Sequence, residues 1–369
     1  MEKIIVLSND TTYTFKLRDI LLEKLVSEGY EVVVVCVKLK KVNELISMGV
    51  RFIDIRINRH SKNPFSDLSL FNKFRRIINA EKPAVVLTYN IKSNIYGGLA
   101  CKLAGVPYIT TITGLGTPLE KPGIIQKIST ILYRIGISKA TCVMFQNESN
   151  RMYFVDRRLL GKESRTRLLP GSGVNLEKFS YEPYPEPESP IIFSVIGRIM
   201  KSKGTDDFLA AARIAKEKFP DIRFRMIGYF DDNYQSIIEK AVEEGIIEYV
   251  EEQEDVMPFI RDSWAVIQPS LYGEGMSNVL LEGAATGRPV IATDIPGCRE
   301  TVDNGISGFV FPVGDSKALA ETIMRFIALP YEEKVKMGKA GRIKMEKEFD
   351  RRIVAQAYLD EIRKMEGKK

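Results

Sequence analysis

Short runs of β-branched and aromatic residues alternate with helical patterns along this chain, and this alternation restricts the fold more than any other feature. In the first half the strand-like runs are KIIVLSN, EVVVVCV, RFIDIRI, AVVLTYN, YITTITG and TCVMFQN. Helical patterns such as LRDILLEKLVSEGY separate most of them. Strands that are apolar on both faces and separated by helices form parallel sheets covered by helices. The sequence therefore predicts an α/β fold with doubly wound parallel sheets.

The alternation is interrupted at residues 181–190, where YEPYPEPESP contains four prolines and three glutamates. This composition is typical of a linker. The alternation then restarts with IIFSVIGRI, and a chain of 369 residues is long enough for two domains. We predict a Rossmann-like domain over residues 1–180 and a second over residues 191–349. A C-terminal helix over residues 350–369 is expected to pack back on the first domain.

Composition and cysteine usage exclude several classes of protein. With 44% apolar and 28% charged residues the chain is globular, and no apolar run approaches the ~20 residues of a membrane-spanning helix. The N-terminus enters a strand directly, so we expect no signal peptide. The single histidine, His60, excludes a histidine-rich zinc site, and we interpret it as a surface residue. Without a CxxC pair, the cysteines are expected to be buried thiols in a reducing cytosol: Cys36, Cys101, Cys142 and Cys298.

Charge is distributed unevenly along the chain. Residues 1–185 contain 28 Lys and Arg against 16 Asp and Glu, a net charge of +12, whereas residues 186–369 contain 26 against 32, a net charge of −6. A basic first half indicates an anionic partner. Nucleic acid, phospholipid headgroups and a phosphorylated substrate fit this charge, as does a solvated surface with no partner.

The position of a ligand site follows from the predicted fold. Ligands of open α/β sheets bind at the carboxyl ends of the strands, so two such domains facing each other predict a site in the cleft between them. The segment after the first strand, SNDTTYTFKLRD, lacks the G-x-G-x-x-G pattern of dinucleotide-binding proteins. This absence disfavours a nicotinamide or flavin cofactor.

The first strand of the second domain ends in GRIMKSKG, a segment that combines glycines with two cations. Gly197 allows a sharp turn where the strand meets the site, and Gly204 precedes a helix. Arg198 and Lys203 place a guanidinium and an ammonium at the mouth of the site. Diphosphate groups bind such cations, the guanidinium as a planar fork and the ammonium as a point charge.

The stretch EGMSNVLLE carries two carboxylates, Glu274 and Glu282, on either side of a helix start. Gly275 frees the turn, and Ser277 or Asn278 can cap the helix, whose N-terminal N–H groups attract phosphate. Glu282 can accept hydrogen bonds from the paired hydroxyls of a ribose, and Glu274 lies closer to the cleft. Taken singly these residues are more often surface cations or helix-dipole partners, but their combination at the strand ends of one domain favours a nucleotide site.

The motifs resemble the C-terminal domain of retaining glycosyltransferases of the GT-B fold, family four, whose signature is the E-x7-E pair. The resemblance covers residues 190–350 through GRIMKSKG, PSLYGEGMSNVLLEGAATGRPVIATDIPGCRETV and GFVFPVGD. In the first half, YNIKSNIYGGLACKLAGVPYITTITGLGT and FQNESN are similar to one branch of the family. That branch extends polyprenyl-diphosphate-linked sugars in capsule, O-antigen or glycoprotein glycan assembly.

The resemblance implies a role for each matching residue. Glu282 would bind the ribose, Glu274 would lie near the donor sugar, and Arg198 and Lys203 would hold the diphosphate. Catalysis would depend on Glu274, Arg198 and Lys203. Three backbone amides would lie near the phosphates or the sugar, namely those of Met276, Ser277 and Asn278.

One departure from the family concerns the end of the fifth N-terminal strand. Many relatives have a histidine there, near the donor sugar, whereas this chain reads TGLG from Thr113 to Gly116. Either backbone groups from Gly114 to Gly116 replace the histidine, or the donor sugar binds differently. For the acceptor we expect Gly114 and Gly116, together with Arg18 and Lys92, since the last two follow predicted strand ends.

The implied reaction transfers a hexose or N-acetylhexosamine from a nucleotide diphosphate sugar, UDP-linked, to an acceptor hydroxyl with retention of anomeric configuration. The chain has no D-x-D motif, so we expect no metal and no other cofactor. It also has no obvious nucleophile, and the resemblance implies front-face attack in which the leaving phosphate takes the acceptor proton. A nucleotide-sugar epimerase of the same fold and a non-catalytic sugar-nucleotide sensor are the alternatives.

The acceptor class implies a location as well as a partner. A polyprenyl-diphosphate acceptor and a basic first half predict a cytoplasmic protein that is peripheral on the inner face of the cell membrane, with no nucleic-acid partner. The segment IIQKISTILYRIGISKA is apolar with scattered Lys127, Arg134 and Lys139. It fits either a helix that rests on anionic lipid or an ordinary packed helix.

Overall fold

The computed structural model describes residues 2–56, 64–116, 119 and 123–367. The chain forms two compact units, Met1–Gly173 with Arg351–Lys369, and Val174–Asp350. Each unit contains a parallel sheet flanked by helices. The predicted α/β fold with two Rossmann-like domains is therefore confirmed. His60 lies outside the described residues.

The first unit is built on a seven-stranded parallel sheet within its described residues. The strands are β1 (Lys3–Asp10), β2 (Glu31–Val37), β3 (Arg51–Asp54), β4 (Val85–Tyr89), β5 (Tyr108–Ile112), β6 (Cys142–Phe145) and β7 (Arg165–Leu168). Their order is β3-β2-β1-β4-β5-β6-β7, and each neighbouring pair is parallel. Strand β4, with the sequence VVLTY, is buried at each position, as expected for a central parallel strand.

Helices cover both faces of this sheet. They are α1 (Thr11–Ser27), α2 (Val42–Ser47), α3 (Pro64–Glu81), α4 (Gly98–Ala104), α5 (Ile124–Ile137) and α6 (Glu148–Asp156), with a π-helical turn at Ser93–Gly97. One apolar layer holds α1 against the sheet, and the other holds α3, α4 and α5. The alternating apolar strands of the sequence thus lie between two helical layers.

The C-terminal helix of the chain belongs to the first unit. Its apolar face packs in the same layer as α1, through Val354, Tyr358 and Ile362. At its start, Arg351 donates to Asp19 Oδ1 at 2.7 Å and to the carbonyl of Gly173. This buried guanidinium ties the returning chain to α1 and to the end of the first unit.

The second unit is built on a six-stranded parallel sheet within its described residues. The strands are β8 (Ile192–Ile196), β9 (Arg223–Ile227), β10 (Glu248–Val250), β11 (Ala265–Gln268), β12 (Val290–Thr293) and β13 (Gly308–Phe311), in the order β10-β9-β8-β11-β12-β13. The α-helices of this unit are α7 (Thr205–Lys218), α8 (Gln235–Glu243), α9 (Met257–Arg261), α10 (Asn278–Ala285), α11 (Ser316–Ile327) and α12 (Tyr331–Lys344). The C-terminal helix of the first unit is α13 (Arg351–Glu366). The ends of β8, β9 and β11 are therefore neighbours.

The boundary between the units differs from the predicted one. The first unit ends at Gly173 and not at residue 180, and the predicted linker, residues 181–190, belongs to the second unit. Tyr184 is buried there against Trp264 and donates its hydroxyl to the Trp264 carbonyl at 2.7 Å. The fully buried Arg288 donates to the carbonyls of Glu182 and Pro183. These contacts fix a proline-rich segment whose composition alone indicated a free linker.

The cysteines and the lengths of the helices bear on two expectations from the sequence. The four cysteines are free and buried, as predicted, and burial raises the pKa of the Cys36 thiol to about 12. Among the helices of the described residues, none is long and apolar enough to cross a membrane.

Candidate functional site

The candidate site lies at the carboxyl ends of β8, β9 and β11 in the second unit. Gly197 follows β8 with a φ of 144°, and Gly228 follows β9 with a φ of 153°. A Cβ atom at Gly228 would overlap the carbonyl oxygen of Gly197. Only glycine allows both this backbone conformation and this close approach. The strand ends therefore meet without side chains between them.

Lys203 lies in a 3-10 turn, Lys201–Lys203, which begins five residues after the last residue of β8. Gly204 ends the turn in the left-handed conformation, and a Cβ atom there would overlap the carbonyl oxygen of Pro269. The turn is thereby pressed against the segment after β11, and Leu271 N–H donates to the Ser202 carbonyl at 3.0 Å. This contact brings two loops together that are far apart in the sequence.

The close approach of the two loops joins Lys203 to Glu274. Lys203 Nζ donates to Glu274 Oε1, and Ser270 Oγ donates to the same oxygen at 3.1 Å. Gln268 Nε2 in turn donates to Ser270 Oγ at 2.6 Å. Gln268 and Ser270 are buried, whereas the side chains of Lys203 and Glu274 are 23% and 25% exposed. A buried polar chain thus holds the Glu274 carboxylate at the surface of the site.

Arg198 is paired with a carboxylate that the sequence analysis did not include. Its Nη1 lies 2.6 Å from Asp231 Oδ2, and the two side chains are 44% and 35% exposed. Asp231 follows β9, so the rule that strand ends meet at one edge of a sheet could have identified it. The two predicted cations therefore do not stand alone, because Arg198 and Lys203 each have a carboxylate partner in this structure.

Helix α10 begins at the site with a side-chain cap. The Ser277 side chain accepts from the Leu280 N–H, as the sequence predicts for an N-cap residue. The Ser277 N–H donates to the Gly297 carbonyl at 2.7 Å, so this amide, expected to face the phosphates, already has an acceptor. The amides of Met276 and Asn278 make no hydrogen bond with any described residue. These two N–H groups are the ones that the helix start offers to an anion.

Asn278 and Glu282 lie on one face of α10, one helical turn apart. Asn278 Oδ1 is buried and has no hydrogen-bond partner within the described part of the chain. A buried carbonyl oxygen without a donor is unfavourable by about 1–3 kcal/mol. Glu282 is partly buried, and its backbone carbonyl accepts from Thr286 Oγ1 at 2.9 Å. The face therefore presents a carboxylate and an amide oxygen.

Cys298 lies behind Glu274 and carries no charge in the site. Burial raises the pKa of its thiol well above the ordinary value, and the negative charge of Glu274 raises it further. Gly297, which precedes it, has a φ of 85° and fits against the Glu274 backbone. The Glu274 N–H donates to the Pro296 carbonyl at 2.9 Å. The backbone of Glu274 is thus held by the segment after β12.

Two predicted acceptor residues of the first unit, Arg18 and Lys92, are not free cations in strand-end loops: Arg18 is buried and Lys92 is ion-paired. Arg18 lies inside α1 and not in a strand-end loop; it is buried, with its guanidinium carbon 4.4 Å from the centroid of the Tyr89 ring. It donates to the Leu17 carbonyl at 2.8 Å and makes no ion pair with any described carboxylate. Lys92 Nζ is paired with Asp67 Oδ1 at 2.8 Å. Lys92 is therefore not a free cation.

Unpaired polar atoms lie at the end of β4 and in the π-helical turn that follows it. Within the described residues, the buried atoms Tyr89 Oη, Ser93 Oγ and Asn94 Oδ1 have no hydrogen-bond partner. The two glycines of the TGLG segment, Gly114 and Gly116, have φ values of 138° and 69° after β5. Sequence reasoning missed Tyr89, Ser93 and Asn94, although each lies in the YNIKSN segment, which begins at the last residue of β4.

Two family descriptions match most of this chain. "Glycosyl transferase 4-like" matches residues 3–147, in the first unit, and "Glycosyl transferases group 1" matches residues 178–344, in the second. The chain belongs to the GT-B glycosyltransferases of family four. The resemblance that the E-x7-E pair and the GRIMKSKG segment indicated is thereby confirmed.

Two relatives of this glycosyltransferase match it over most of their length. It is 26% identical to the N,N'-diacetylbacillosaminyl-diphospho-undecaprenol alpha-1,3-N-acetylgalactosaminyltransferase of Campylobacter jejuni, over 89% of this chain and 90% of the relative. It is 23% identical to the UDP-Gal:alpha-D-GlcNAc-diphosphoundecaprenol alpha-1,3-galactosyltransferase of Escherichia coli, over 82% and 81%. Sucrose-phosphate synthase from Thermosynechococcus elongatus has the same fold, with a TM-score of 0.80 at 20% identity and 100% coverage of both chains.

Proposed function

We propose that this glycosyltransferase moves a hexose or N-acetylhexosamine from a UDP-sugar to a sugar carried on a polyprenyl diphosphate. Transfer retains the anomeric configuration and serves surface polysaccharide or glycan synthesis. The observation that carries the proposal is the arrangement of Lys203, Glu274 and Ser270 beside the start of α10. The acceptor class is supported by the names of the Campylobacter jejuni and Escherichia coli relatives, both of which contain diphospho-undecaprenol.

In this proposal the second unit binds the donor through its diphosphate. Negative charge develops on the leaving diphosphate, and fixed N–H donors and cations stabilise it most when they need no rearrangement. Arg198, Lys203 and the amides of Met276 and Asn278, which bond to no described residue, supply these groups. The donor displaces Asp231 from Arg198 at little cost, because an exposed ion pair contributes only about 0–1 kcal/mol.

The other polar groups of the site receive the sugar and the ribose. Glu282 accepts hydrogen bonds from the ribose hydroxyls, and the Glu274 carboxylate lies near the donor sugar, where it stabilises positive charge at the anomeric carbon. Asn278 Oδ1, which has no donor among the described residues, accepts from a hydroxyl of the bound molecule. The acceptor oxygen attacks from the face of the leaving diphosphate, and a diphosphate oxygen takes the acceptor proton.

The first unit binds the acceptor at the ends of β4 and β5. Arg18 is buried with no carboxylate partner among the described residues, so an anionic ligand such as a lipid diphosphate compensates its charge. The Ser93 and Asn94 side-chain oxygens, which have no partner in the described part of the chain, accept from hydroxyl groups of the acceptor. The backbones of Gly114 and Gly116 take the place of the histidine found in many relatives. The enzyme acts as a peripheral protein at the cytoplasmic face of the membrane.

Removing either cation is expected to weaken donor binding. Arg198→Ala and Lys203→Ala should each lower the affinity for UDP by about 1.5–3 kcal/mol, because each deletes a charge-assisted hydrogen bond to the diphosphate. Titration calorimetry with UDP measures the change. Lys201→Ala is the matched control, since Lys201 lies in the same turn and is exposed. UDP affinity that is unchanged in both variants would contradict the assignment of the diphosphate site.

Sugar transfer is expected to continue in excess chelator. The chain has no D-x-D motif, and Arg198 and Lys203 supply the charge that a metal ion provides in other enzymes. Turnover is measured with and without EDTA and after addition of magnesium or manganese. A loss of turnover that either metal restores would show that a metal stabilises the leaving diphosphate.

Product analysis distinguishes the proposal from the two alternative functions. A transferase produces a glycosylated lipid and free UDP, with a new bond of the same anomeric configuration as the donor. An epimerase converts the UDP-sugar without an acceptor, and a sensor binds it without turnover. Nuclear magnetic resonance of the product after incubation with a lipid-diphosphate acceptor separates these outcomes.

A further inference from the structure

Helix α5 exposes a stripe of isoleucines along one side. Five isoleucine side chains of this helix are between 42% and 77% exposed, namely Ile124, Ile125, Ile128, Ile131 and Ile135. Four of them follow the spacing i, i+4, i+7 and i+11, which places them on one narrow face of an α-helix. We call these four residues, Ile124, Ile128, Ile131 and Ile135, the isoleucine stripe.

The opposite side of α5 is fixed in the first unit. Tyr133, Gly136 and Ile137 are buried, and the Tyr133 ring packs edge-on against Phe154 with a centroid distance of 5.4 Å. A Cβ atom at Gly136 would lie 2.6 Å from the carbonyl oxygen of Ile95, so the helix is in close backbone contact with its neighbour. The helix cannot rotate to bury the isoleucine stripe without losing this packing. The stripe is therefore an apolar surface that the described residues of the first unit do not cover.

The charged residues on α5 and directly after it are all basic. The sequence from Ile124 to Thr141 contains no aspartate or glutamate. Lys127 and Arg134 are both exposed and lie three and ten positions after Ile124. This spacing places both of them along one side of the stripe. Lys139 follows the helix, where it is exposed and 4.0 Å from Glu163, which is itself mostly exposed. Such a distant exposed pair leaves the ammonium available to another anion.

We propose that α5 docks this enzyme on an anionic lipid bilayer, with the isoleucine stripe inserted at the boundary between headgroups and acyl chains. An amphipathic helix in this position buries its apolar face, while lysine and arginine side chains reach the anionic headgroups. Lys127 and Arg134 are placed for that contact. The inference rests on the proposed lipid-linked acceptor, because such an acceptor holds the enzyme's substrate at a membrane surface.

Charge complementarity favours a bilayer over a second copy of this chain. In a symmetric dimer through this face, the Lys127 and Arg134 side chains of both copies would approach one another. Like charges brought together in this way disfavour association, whereas anionic headgroups attract each basic side chain. The dimer is therefore an outcome for the experiment to exclude.

Vesicle sedimentation tests the docking surface. The unmodified enzyme is expected to pellet with vesicles made of phosphatidylcholine and phosphatidylglycerol in equal parts, and less with phosphatidylcholine alone. Ile128→Ser combined with Ile131→Ser should lower partitioning at least about tenfold, because each substitution removes an inserted apolar side chain. Lys127→Gln combined with Arg134→Gln should weaken binding to the anionic vesicles only, and high salt should have the same effect.

The matched control carries the same substitutions on another surface. Ile306 and Ile343 of the second unit are 65% and 48% exposed, and Ile306→Ser with Ile343→Ser should leave partitioning unchanged. UDP affinity should be unchanged in both isoleucine double variants, the one in the stripe and the one in the second unit, so a failure of docking is distinguishable from a failure of the proposed donor site. Equal loss of vesicle binding in these two isoleucine variants would overturn the inference.

Insertion is measured separately from adsorption. The four native cysteines are buried, so Ile128→Cys can be labelled selectively with an environment-sensitive thiol probe. A blue shift on addition of anionic vesicles, and quenching by a lipid-borne quencher, are expected for Ile128→Cys and not for a labelled Ile343→Cys. Binding without either signal would place α5 outside the bilayer. A dimer that Ile128→Ser with Ile131→Ser dissociates, without vesicle binding by the unmodified enzyme, would assign the stripe to self-association.

Discussion

Replacing Glu274 by glutamine is expected to lower the rate constant of sugar transfer by about 10²- to 10³-fold. The substitution keeps the shape of the side chain and removes its negative charge, which in the proposed mechanism faces the positive charge that develops at the anomeric carbon. UDP lacks that carbon, so the affinity for UDP should not fall. Steady-state kinetics should therefore show the loss in kcat, while calorimetry with UDP shows no weakening.

Glu252→Gln is the matched control for the loss of charge. Glu252 is an exposed residue of the second unit and lies two positions after the end of β10. Its substitution should leave kcat unchanged. A kcat for Glu274→Gln close to that of the unmodified enzyme would remove Glu274 from the catalytic machinery. A loss of UDP affinity without a loss of kcat would instead assign Glu274 to donor binding.

The contact between Lys203 and Glu274 allows a second and stricter measurement. Residues in direct contact are not independent, so their substitutions are expected to be non-additive. We expect Lys203→Met with Glu274→Gln to lose less transfer activity than the two single losses combined. In Glu274→Gln alone, Lys203 is released from its carboxylate and becomes fully available to the diphosphate. Strict additivity of the two losses would show that the ion pair has no part in catalysis.

Replacing Arg288 by methionine is expected to destabilise the second unit by about 3–5 kcal/mol. The Arg288 side chain is fully buried, and burial lowers its pKa to about 10, so it stays charged at neutral pH. It donates to the carbonyls of five residues, namely Glu182, Pro183, Arg261, Thr286 and Gly287. Methionine fills part of the space but removes these side-chain donors, and of the five carbonyls that of Thr286 keeps the Glu182 N–H at 3.1 Å.

The fluorescence of the single tryptophan measures this loss. Trp264 is the only tryptophan of the chain, is buried in the second unit, and lies 5.7 Å from the Tyr184 ring between centroids. Urea unfolding followed at Trp264 therefore reports on this unit. Arg223→Met, at an exposed position in the same unit, should change stability by no more than about 0.5 kcal/mol. A loss for Arg288→Met as small as that of the control would show that the carbonyl contacts contribute little.

Part of the candidate site could be predicted from the sequence because it depends on neighbours along the chain. The side-chain cap at Ser277 follows from residue type and from the helix that comes after it. Asn278 and Glu282 share a face because residues four apart always do so on a helix. Gly197 and Gly204 mark turns that other residues do not adopt readily. Such features need no knowledge of the sheet order.

The partners of the charged residues could not be predicted in this way. Arg198 meets Asp231, 33 residues away, and Lys203 meets Glu274, 71 residues away. Both pairs exist because β9 and β11 lie on either side of β8, an order that short patterns do not encode. The sequence therefore predicted two cations at the mouth of the site, and the sheet order brought a carboxylate to each.

Burial was decided by the tertiary structure in the same way. Proline-rich residues 181–190 have the composition of a linker, but Arg288, 106 residues after Glu182, binds their carbonyls and fixes them to the second unit. Arg18 is buried under the Tyr89 ring because α1 packs on the sheet.

The sequence by itself determined the two α/β domains and the family, and it supplied the residues that we propose for the donor site. The alternation of strands and helices, the helix caps and the E-x7-E spacing are local properties of the chain, so they can be recognised before the chain is folded. The tertiary structure alone decided which charges are paired, which apolar residues are covered and which stay exposed, including the isoleucine stripe of α5. Pairing and burial are properties of the space between elements, and that space exists only after the elements have packed.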